Sequence, residues 1–343
     1  MRKYSFLIPV YNVGKLLNRC AESVLAQTYT NFEVIFYDDC STDDSLKRCK
    51  KYAYLYPDKI RVISGERNIG LLRNRIELMK HAKGEVIIFL DSDDYVKKEM
   101  LSVLEETFQK YDCDMIVFDS WSQYNILGIP FKKCVQRFDG TEIYEKDKKA
   151  LYNKFAEGMI TSIWRKAFKK DLFSFPYSDE LRNTVSIGED ILFSMPLLQK
   201  AKKTVCVNKK LYIYCANPKS LTRAEGVDRL KNSLRDHRLV LEQFETYAEK
   251  WDVNKAGFYE HMMSKVKGFL YAILLFDDEK LKKELYDEVL GIHAFRIALE
   301  QHCRKSSVYM LFLKRDYRGA EALLQTKKKK MKLKKQLRSF LLR

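Results

Sequence analysis

Residues 4–44 read YSFLIPVYNVGKLLNRCAESVLAQTYTNFEVIFYDDCSTDD and contain two apolar runs separated by a segment with helical spacing. The two runs, Tyr4–Val10 and Phe32–Tyr37, have the length and composition of strands. Five residues between them recur at intervals that place them on one face of a helix: Leu16, Leu17, Cys20, Val24 and Leu25. A strand, a helix and a strand in this order are the unit from which parallel sheets with covering helices are built.

The same alternation continues to about residue 120. Further strands are predicted at residues 60–64, 85–90 and 114–118. Leu72, Ile76 and Met79 mark one face of another helix, and the oxygen-bearing side chains of residues 41–44 can cap the start of a third. The predicted fold class is therefore α/β, a mostly parallel sheet with helices on both faces. Ligands are expected in the crevice at the carboxyl ends of its strands.

The chain has 343 residues, of which 46% are apolar and 32% charged, as in ordered globular proteins with more than one domain. Residues 121–225 have an irregular pattern, which indicates loops built onto the sheet. From Val227 onward apolar residues recur at helical spacing without proline. We therefore predict a first domain at residues 1–225, a helical domain at 226–326 and a basic tail at 327–343.

The tail carries a large part of the charge. Residues 327–343 contain seven lysines, two arginines and no acid, against a net charge of +17 for the whole chain. Leu333, Leu337, Phe340 and Leu341 would form one stripe of a helix beside the basic residues. Such a helix suits an anionic membrane surface, where each nearby basic residue contributes about 1 kcal/mol. We expect a peripheral protein on the inner face of the cytoplasmic membrane, with a loose solvated tail as the alternative.

Several classes of protein are disfavoured by what the sequence lacks. The eight cysteines form no CxxC pair and the histidines no zinc-type spacing, which fits a reducing cytosol. The longest apolar run outside the strands, Phe269–Phe276, is far shorter than the roughly 20 residues that cross a bilayer. Residues 9–14, PVYNVG, lack the glycines of a dinucleotide-binding turn. The positive charge is concentrated in one tail, so nucleic acid is not expected as a partner.

The strongest chemical signal is Asp91-Ser92-Asp93-Asp94, directly after the apolar run 86–90. Three carboxylates at the end of a buried strand repel one another unless a cation or hydrogen-bond donors compensate them. Mg²⁺ or Mn²⁺ held by one or two carboxylates can bridge the phosphates of a nucleotide. The tetrad therefore predicts a divalent metal site, with a solvated acidic turn before the next helix as the alternative.

A second acidic pair, Asp38-Asp39, ends another predicted strand, and Tyr11 follows the first. Because the carboxyl ends of parallel strands meet at one edge of a sheet, these residues and the tetrad are expected to converge on one crevice. There the ring of Tyr11 could stack on a base while a carboxylate accepts a base N–H. A packed aromatic side chain is the other interpretation of Tyr11.

Motifs along much of the chain resemble those of one known family. Residues 4–45 and the segment AKGEVIIFLDSDDYV (82–96) resemble the opening and the DxD segment of the family 2 glycosyltransferases. Later pieces resemble family landmarks in the expected order: Trp164-Arg165-Lys166, GEDILF at 188–193, and Tyr214 with Ser220-Leu221-Thr222. The resemblance covers about residues 4–223. It implies a GT-A, Rossmann-like catalytic domain that binds a UDP-sugar donor and a glycan or glycolipid acceptor.

The resemblance also assigns roles on the donor side. The residues that would bind the nucleotide sugar are Pro9, Val10, Tyr11, Asp39, Asn68, Gly70, Arg73, Asp91 and Ser92. The first three would line the base pocket, and Asp39 would hydrogen-bond the uracil ring. Asp91 and Ser92 would contact the ribose, and Asp93 would ligate Mn²⁺ or Mg²⁺.

A carboxylate pair, Glu189-Asp190, is the expected source of the catalytic base. By resemblance Asp190 would remove the proton of the attacking acceptor hydroxyl and Glu189 would orient the acceptor, although the two could exchange roles. Such proton removal contributes a factor of about 10² to 10⁴. Trp164 could form a platform for the acceptor sugar or pack against Phe168.

The resemblance implies an inverting single displacement in which UDP leaves from one face of the sugar. The compact NIGLLR segment (68–73) with GEDILF and YIYCANP (212–218) resembles bacterial β-1,3-galactosyltransferases that extend lipooligosaccharide outer cores. UDP-galactose is thus the first expectation for the donor, and a UDP-N-acetylhexosamine the second. A non-catalytic sugar-binding module and a basic nucleic-acid-binding protein are the alternatives from other classes. Oligomeric state stays open.

Overall fold

The computed structural model describes residues 1–126, 129–216, 226–303 and 306–326. Ten strands lie within these residues: β1 Tyr4–Val10, β2 Phe32–Asp38, β3 Ile60–Ser64, β4 Val86–Phe89, β5 Tyr95–Val96, β6 Met115–Ile126, β7 Ile129–Val135, β8 Thr141–Tyr144, β9 Lys166–Lys169 and β10 Thr204–Cys215. The helices bounded within them are α1 Leu16–Leu25, α2 Ser45–Leu55, α3 Leu71–His81, α4 Met100–Tyr111, α5 Lys149–Ala156, α6 Asp179–Thr184, α7 Glu189–Lys200, α8 Val227–Lys250, α9 Lys255–Ile273, α10 Glu279–Gly291, α11 His293–His302 and α12 Ser307–Leu313. A further helical stretch occupies residues 317–326.

The strands form one sheet in the order β3-β2-β1-β4-β9-β6-β10-β5, with β7 added beside β6 and β8 beside β10. Strands β1, β2, β3 and β4 are mutually parallel, and β6 and β10 run in the same direction because β9 is antiparallel to both β4 and β6. Six of the ten described strands therefore share one direction. This confirms the predicted α/β class with a mostly parallel sheet.

The strands predicted at 4–10 and 60–64 have those bounds in the structure, and β2 and β4 differ from prediction by one residue at one or both ends. Residues 121–225, by contrast, contain far more regular structure than the predicted loops. Strand β6 continues to Ile126, and β9 lies in the middle of the sheet. Strand β9 reads KAFK, and a strand of four residues with two lysines has no apolar run by which a sequence pattern could reveal it.

Two hydrophobic cores lie on the two faces of the sheet. On one face β1 contributes Phe6 and Ile8, which pack with residues of α1, α2 and α4. On the other face Leu7 and Phe89 pack with residues of α3, α5 and α7, and this core continues into α8, α9, α10 and α11. Because successive side chains of a strand point to opposite faces, fully buried strands such as β1 supply both cores.

The predicted helical region is confirmed from Val227 to the end of the described residues. Aromatic contacts connect it to residues 1–216. Trp251 stacks on Tyr152 with ring centroids 4.3 Å apart, and the ring centroids of Phe244 and Phe155 are 5.9 Å apart. No helix among the described residues is both long and apolar enough to pass through a bilayer. The predicted basic tail at 327–343 and the boundary motif Ser220-Leu221-Thr222 lie outside the described residues.

Candidate functional site

The carboxyl ends of β1, β2 and β4 meet at one edge of the sheet, as predicted. Pro9 and Val10 are buried in β1, and Tyr11, just beyond it, is 44% exposed. The N–H of Asp39 donates to the carbonyl of Val10 at 2.8 Å, which ties the end of β2 to the end of β1. The exposed Tyr11 thus follows β1 at the same edge where the buried Asp39 follows β2.

Asp39 organises the segment that leads into α3. Its two carboxylate oxygens accept the N–H groups of Ile69 at 2.8 Å and Gly70 at 2.9 Å. Asn68 Oδ1 also accepts the N–H of Gly70, at 3.1 Å, and Gly70 has a φ of +82°, which a residue with a side chain rarely adopts. Burial raises the pKa of the Asp39 carboxyl, although the two backbone donors and Arg73 act in the opposite direction.

These contacts bring Asp39, Asn68, Gly70 and Arg73 into one group, as the sequence predicts for the nucleotide-sugar site. Asp38 has a separate task, because its Oδ2 accepts the N–H of Ser41 at 3.0 Å and shapes the loop after β2. Carboxylate oxygens carry two lone pairs each, so Asp39 keeps capacity for a further donor such as a base N–H.

The acidic tetrad divides into residues with different surroundings. Asp94 is fully buried; its Oδ2 accepts the Tyr212 hydroxyl at 2.7 Å, and its Oδ1 accepts the N–H of Cys215 at 2.6 Å. Burial, followed by the charges of Asp91 and Asp93, raises the pKa of Asp94 well above its usual range. Asp94 therefore anchors the end of β10 to the loop after β4. Ser92 is also buried, whereas the side chains of Asp91 and Asp93 are partly exposed at the crevice.

The different surroundings of these acids limit which of them are available to bind a metal ion. Within the described residues, no cluster of three or more acidic, histidine or cysteine side chains has the arrangement of a metal site. An Mg²⁺ or Mn²⁺ ion that bridges phosphates needs only one or two protein carboxylates, because phosphate oxygens and water complete its shell. Asp93, partly exposed beside Asp91 at the crevice, fits that smaller donor set, so the metal stays a prediction.

One arginine that the sequence argument did not select lies at the centre of the site. Arg75 of α3 is 1% exposed, and its Nη2 lies 2.8 Å from Asp91 Oδ1. Its Nη1 lies 2.7 Å from Asp190 Oδ1 and 3.2 Å from Glu189 Oε1. Burial alone would lower the pKa of Arg75, but the three carboxylates, with Asp190 first, outweigh it and raise that pKa. The predicted donor-side and acceptor-side acids therefore meet on a single guanidinium group.

The predicted catalytic pair starts helix α7. Burial, and then the neighbouring charge of Asp190, raises the pKa of Glu189 to about 7. Burial also raises the pKa of Asp190, while Arg75 opposes that rise. The side chain of Asp190 is 25% exposed and that of Glu189 12%, so Asp190 is the more accessible from the crevice. Lys166, fully buried and close enough to Asp190 to interact with its charge, donates to the carbonyls of Ile160 and Ser162.

Arg75 could have been found from the pattern of α3. It lies three or four residues from Leu72, Leu78 and Met79, all of them buried, so a charged side chain occupies the apolar stripe of the helix. An arginine at such a position requires buried acidic partners. The family resemblance indicates Arg73 instead, two residues earlier, which is partly exposed and whose charge lowers the pKa of Asp39.

Trp164 lies beside the tetrad through the tyrosines of β10. Its ring stacks on Tyr212 with centroids 4.5 Å apart and on Tyr214 at 6.0 Å. Phe168 belongs to the core on the opposite face of the sheet, so Trp164 packs on the two tyrosines rather than on Phe168. The ring is only partly buried, and Tyr212 lies between it and Asp94. Its contact with an acceptor sugar stays a prediction.

Comparison with known proteins identifies the family. Residues 5–171 match the model of the glycosyl transferase family 2. Glycosyltransferase GlyG of Streptococcus pneumoniae serotype 4 is 31% identical over 229 residues, which are 64% of this chain and 73% of GlyG. The chain belongs to glycosyltransferase family 2. The resemblance inferred from the sequence motifs is therefore confirmed.

Other members of family 2 match over different lengths. Cholesterol galactosyltransferase of Borreliella burgdorferi is 25% identical over 313 residues, 87% of this chain and 86% of that protein. Another pneumococcal glycosyltransferase is 29% identical over 232 residues, and these represent only 32% of its own length. Two crystal structures of Staphylococcus aureus TarS 1–349, with UDP and with UDP-GlcNAc, each have a TM-score of 0.67 to this chain at 19% sequence identity. The match with the UDP complex covers 95% of this chain and 91% of TarS 1–349. For the UDP-GlcNAc complex the two values are 96% and 92%. The shared fold is of the GT-A type.

Proposed function

We propose that this family 2 glycosyltransferase transfers a hexose from a UDP-sugar to a glycan hydroxyl with inversion at the anomeric carbon. The observation that carries the proposal is the bridging of Asp91 and Asp190 by Arg75. Asp91 follows β4 at the edge proposed to bind the nucleotide, and Asp190, the candidate base, lies in the first turn of α7. An inverting displacement requires donor and acceptor to meet at one point, and Arg75 fixes both sides there.

The donor would lie along the edge formed by β1, β2 and β4. Tyr11 would stack on the uracil, between Pro9 and Val10 of β1 and the segment that Asp39 holds. Asp39 would accept the uracil N–H with a lone pair that its two backbone donors leave unused. Asp91 and Ser92 would contact the ribose, with Asn68, Gly70 and Arg73 beside the base.

Asp93 would hold Mn²⁺ or Mg²⁺, which supplies neutralising charge to a departing diphosphate when bound. The carboxylate of Asp93 is partly exposed, whereas both oxygens of Asp94 accept hydrogen bonds, from Tyr212 and Cys215. The resident ion is therefore proposed to depend on Asp93 and not on Asp94.

In the transfer step the acceptor oxygen would form a bond to the anomeric carbon as the bond from that carbon to the diphosphate oxygen breaks. Asp190 would take the acceptor proton, and UDP would leave from the opposite face. A base works best when its pKa is near the ambient pH, and the raised pKa values of Glu189 and Asp190 move the pair in that direction. Glu189, the less exposed of the two, would orient the acceptor and hold Arg75 in place.

Galactose is the proposed sugar, and an N-acetylhexosamine the alternative with the same mechanism. The relative from Borreliella burgdorferi is named for galactose transfer, whereas TarS has been crystallised with UDP-GlcNAc. The proposed acceptor is a glycan or glycolipid of a cell-surface polysaccharide or lipooligosaccharide, with Trp164 as its aromatic platform. Residues 327–343 would hold the enzyme at an anionic membrane surface on the cytoplasmic side.

The test is incubation of the full chain with Mn²⁺ and a panel of UDP-galactose, UDP-glucose, UDP-GlcNAc and UDP-GalNAc, with release of UDP as the readout. We expect one donor to be turned over well above the others and EDTA to stop the reaction. Metal-dependent binding of UDP without turnover of any donor, in the presence of a glycan acceptor panel, would indicate a sugar-binding module. Salt-sensitive binding of RNA or DNA without UDP binding would overturn the proposal altogether.

A further inference from the structure

The long helix of the C-terminal region, α8, passes close to the segment just before α7. Asp236 of α8 is fully buried, and its Oδ2 accepts the N–H of Ser186 at 2.8 Å and the N–H of Ile187 at 3.0 Å. These two donors lie three and two residues before Glu189. A buried carboxylate is costly unless donors satisfy it, so these bonds define where the segment must run.

Two further contacts fix the same segment against α8. Arg235 donates to Asp236 Oδ1 at 2.9 Å and to the carbonyl of Thr184 at 3.1 Å. One turn further along α8, Val240 packs against Gly188, where an added Cβ would lie 3.3 Å from a Val240 methyl carbon. Gly188 has a φ of +89°, so its left-handed conformation turns the chain into α7.

The segment held by α8 leads directly into the acidic pair. Glu189 and Asp190 are the first two residues of α7, and Arg75 holds both at hydrogen-bond distance. One turn later Ser194 Oγ donates to the carbonyl of Thr161 at 2.8 Å. The start of α7 is therefore held from three directions, and the contacts from the helical region are those of Asp236, Arg235 and Val240 of α8.

We propose that Asp236 is a positioning residue for the Glu189-Asp190 pair and that the helical region thereby completes the active site. Asp236 does not face the donor crevice; it acts by fixing the two amides that precede α7. The inference rests on the proposed function, because it takes Glu189 and Asp190 as the acceptor-side acids. A displacement of about 1 Å between reacting groups can reduce turnover on the order of 100-fold, so a small shift of α7 is sufficient.

The test compares Asp236→Ala with Asp236→Asn in the full chain. Both bonds from Ser186 and Ile187 go to one oxygen of Asp236, so the asparagine carbonyl can still accept them whereas alanine cannot. We expect Asp236→Ala to lower kcat for donor turnover by about 10- to 100-fold, with the Kd for UDP in Mn²⁺ unchanged, and Asp236→Asn to restore kcat to within a few-fold of the wild type. Amide hydrogen exchange at Ser186 and Ile187 should be faster in the alanine variant only.

The matched control is Glu321→Ala. Glu321 is another buried acid of the helical region, where it accepts from Lys282 at 3.0 Å and Tyr286 at 2.9 Å, far along the chain from α7. If Asp236 acts only through general stability, both alanine variants should lower the melting temperature and the fraction of active protein to a similar extent, with the same kcat per folded molecule. That result would overturn the positioning role.

The outcomes separate this inference from the function on which it rests. If Asp190→Asn abolishes turnover while Asp236→Ala leaves kcat and the exchange of the two amides unchanged, the positioning role is wrong and the proposed function stands. If Asp190→Asn turns over donor normally, the proposed base is wrong. Should Asp236→Ala fail to fold, an Asp236→Asn protein with wild-type exchange at Ser186 and Ile187 but a kcat reduced more than 10-fold would contradict the inference by itself.

Discussion

Arg75 and Asp190 are 115 residues apart in the chain, and their side chains form a hydrogen bond of 2.7 Å. The same guanidinium group reaches Asp91, at the end of β4, at 2.8 Å. Arginine suits this place because its planar group presents donors in several directions, whereas lysine offers a single point of charge. The proposed donor-side and acceptor-side elements of this family 2 glycosyltransferase are therefore joined by one buried cation.

Replacement of Arg75 should affect both stability and turnover. Arg75→Met keeps much of the volume but leaves Asp91, Glu189 and Asp190 without their cation, and loss of one partner of a buried ion pair costs on the order of 3–5 kcal/mol. We expect a lower free energy of unfolding in urea and a kcat reduced at least 100-fold. Arg75→Lys should recover part of the stability but little of the turnover. Arg73→Met, at a partly exposed position, is the control and should leave unfolding within about 1 kcal/mol of the wild type.

Asp93 and Asp94 are neighbours with separate effects. Asp94→Ala should leave the Tyr212 hydroxyl and the Cys215 N–H without their acceptor, and each such buried group costs about 1–3 kcal/mol. We therefore expect Asp94→Ala to lower the free energy of unfolding, while Asp93→Ala abolishes the Mn²⁺ dependence of UDP binding. Calorimetry of UDP with and without EDTA measures the second effect. If Asp94→Ala alone removed the metal dependence, the division of roles would be reversed.

Activity should depend on pH through the acidic pair. The pKa of Glu189 is raised to about 7, and protonation would remove a negative partner of Arg75 and change the charge beside Asp190. We expect kcat/KM, measured with Mn²⁺ saturating for the donor at each pH, to rise with pH and to level off just above pH 7. In Glu189→Gln that limb should move to lower pH, since only Asp190 is left to titrate. If kcat/KM rose at the same pH in both proteins, the titrating group would be neither Glu189 nor a group coupled to it.

The same shift has a consequence for stability. The folded-state pKa of Glu189 lies above its unfolded value, so the folded state binds more protons between about pH 4.5 and 7. The contribution of Glu189 to the free energy of unfolding should therefore fall as the pH rises through that window. We expect the difference in stability between the wild type and Glu189→Gln to shift against the wild type from pH 5 to pH 8, by urea unfolding at each pH. A shift in the opposite direction would contradict a raised pKa.

Much of the sheet could be predicted because its central strands are buried on both faces. Strands β1, β2 and β4 are buried along their whole length and mostly apolar, and their carboxyl ends lead to Tyr11, Asp39 and Asp91 at one edge. Strand β9 could not be predicted, because Lys166 and Lys169 occupy two of its four positions. Lys166 is buried there through its bonds to two carbonyls, which no local pattern reveals.

The sequence motifs indicate candidate residues on each side of the proposed site, but not the contact between the two sides. Asp91 and Asp190 lie in recognisable motifs, whereas the position of Arg75 on the apolar stripe of α3 indicates that it is buried but not which acids it contacts. The contact of Asp236 with Ser186 and Ile187 spans about 50 residues and depends on how α8 packs. Contacts between residues so far apart in the chain are set by tertiary packing, and they cannot be predicted from the local sequence pattern.

The most direct test of the proposed mechanism is a comparison of Asp190→Asn with the wild type in Mn²⁺. Calorimetry should give the same Kd for UDP in both proteins, because Asp190 is not among the residues proposed to contact the nucleotide. Turnover of the preferred UDP-sugar with its acceptor should fall by about 10² to 10⁴ in the variant. An Asp190→Asn enzyme that folds, binds UDP normally and transfers sugar at the wild-type rate would contradict the mechanism.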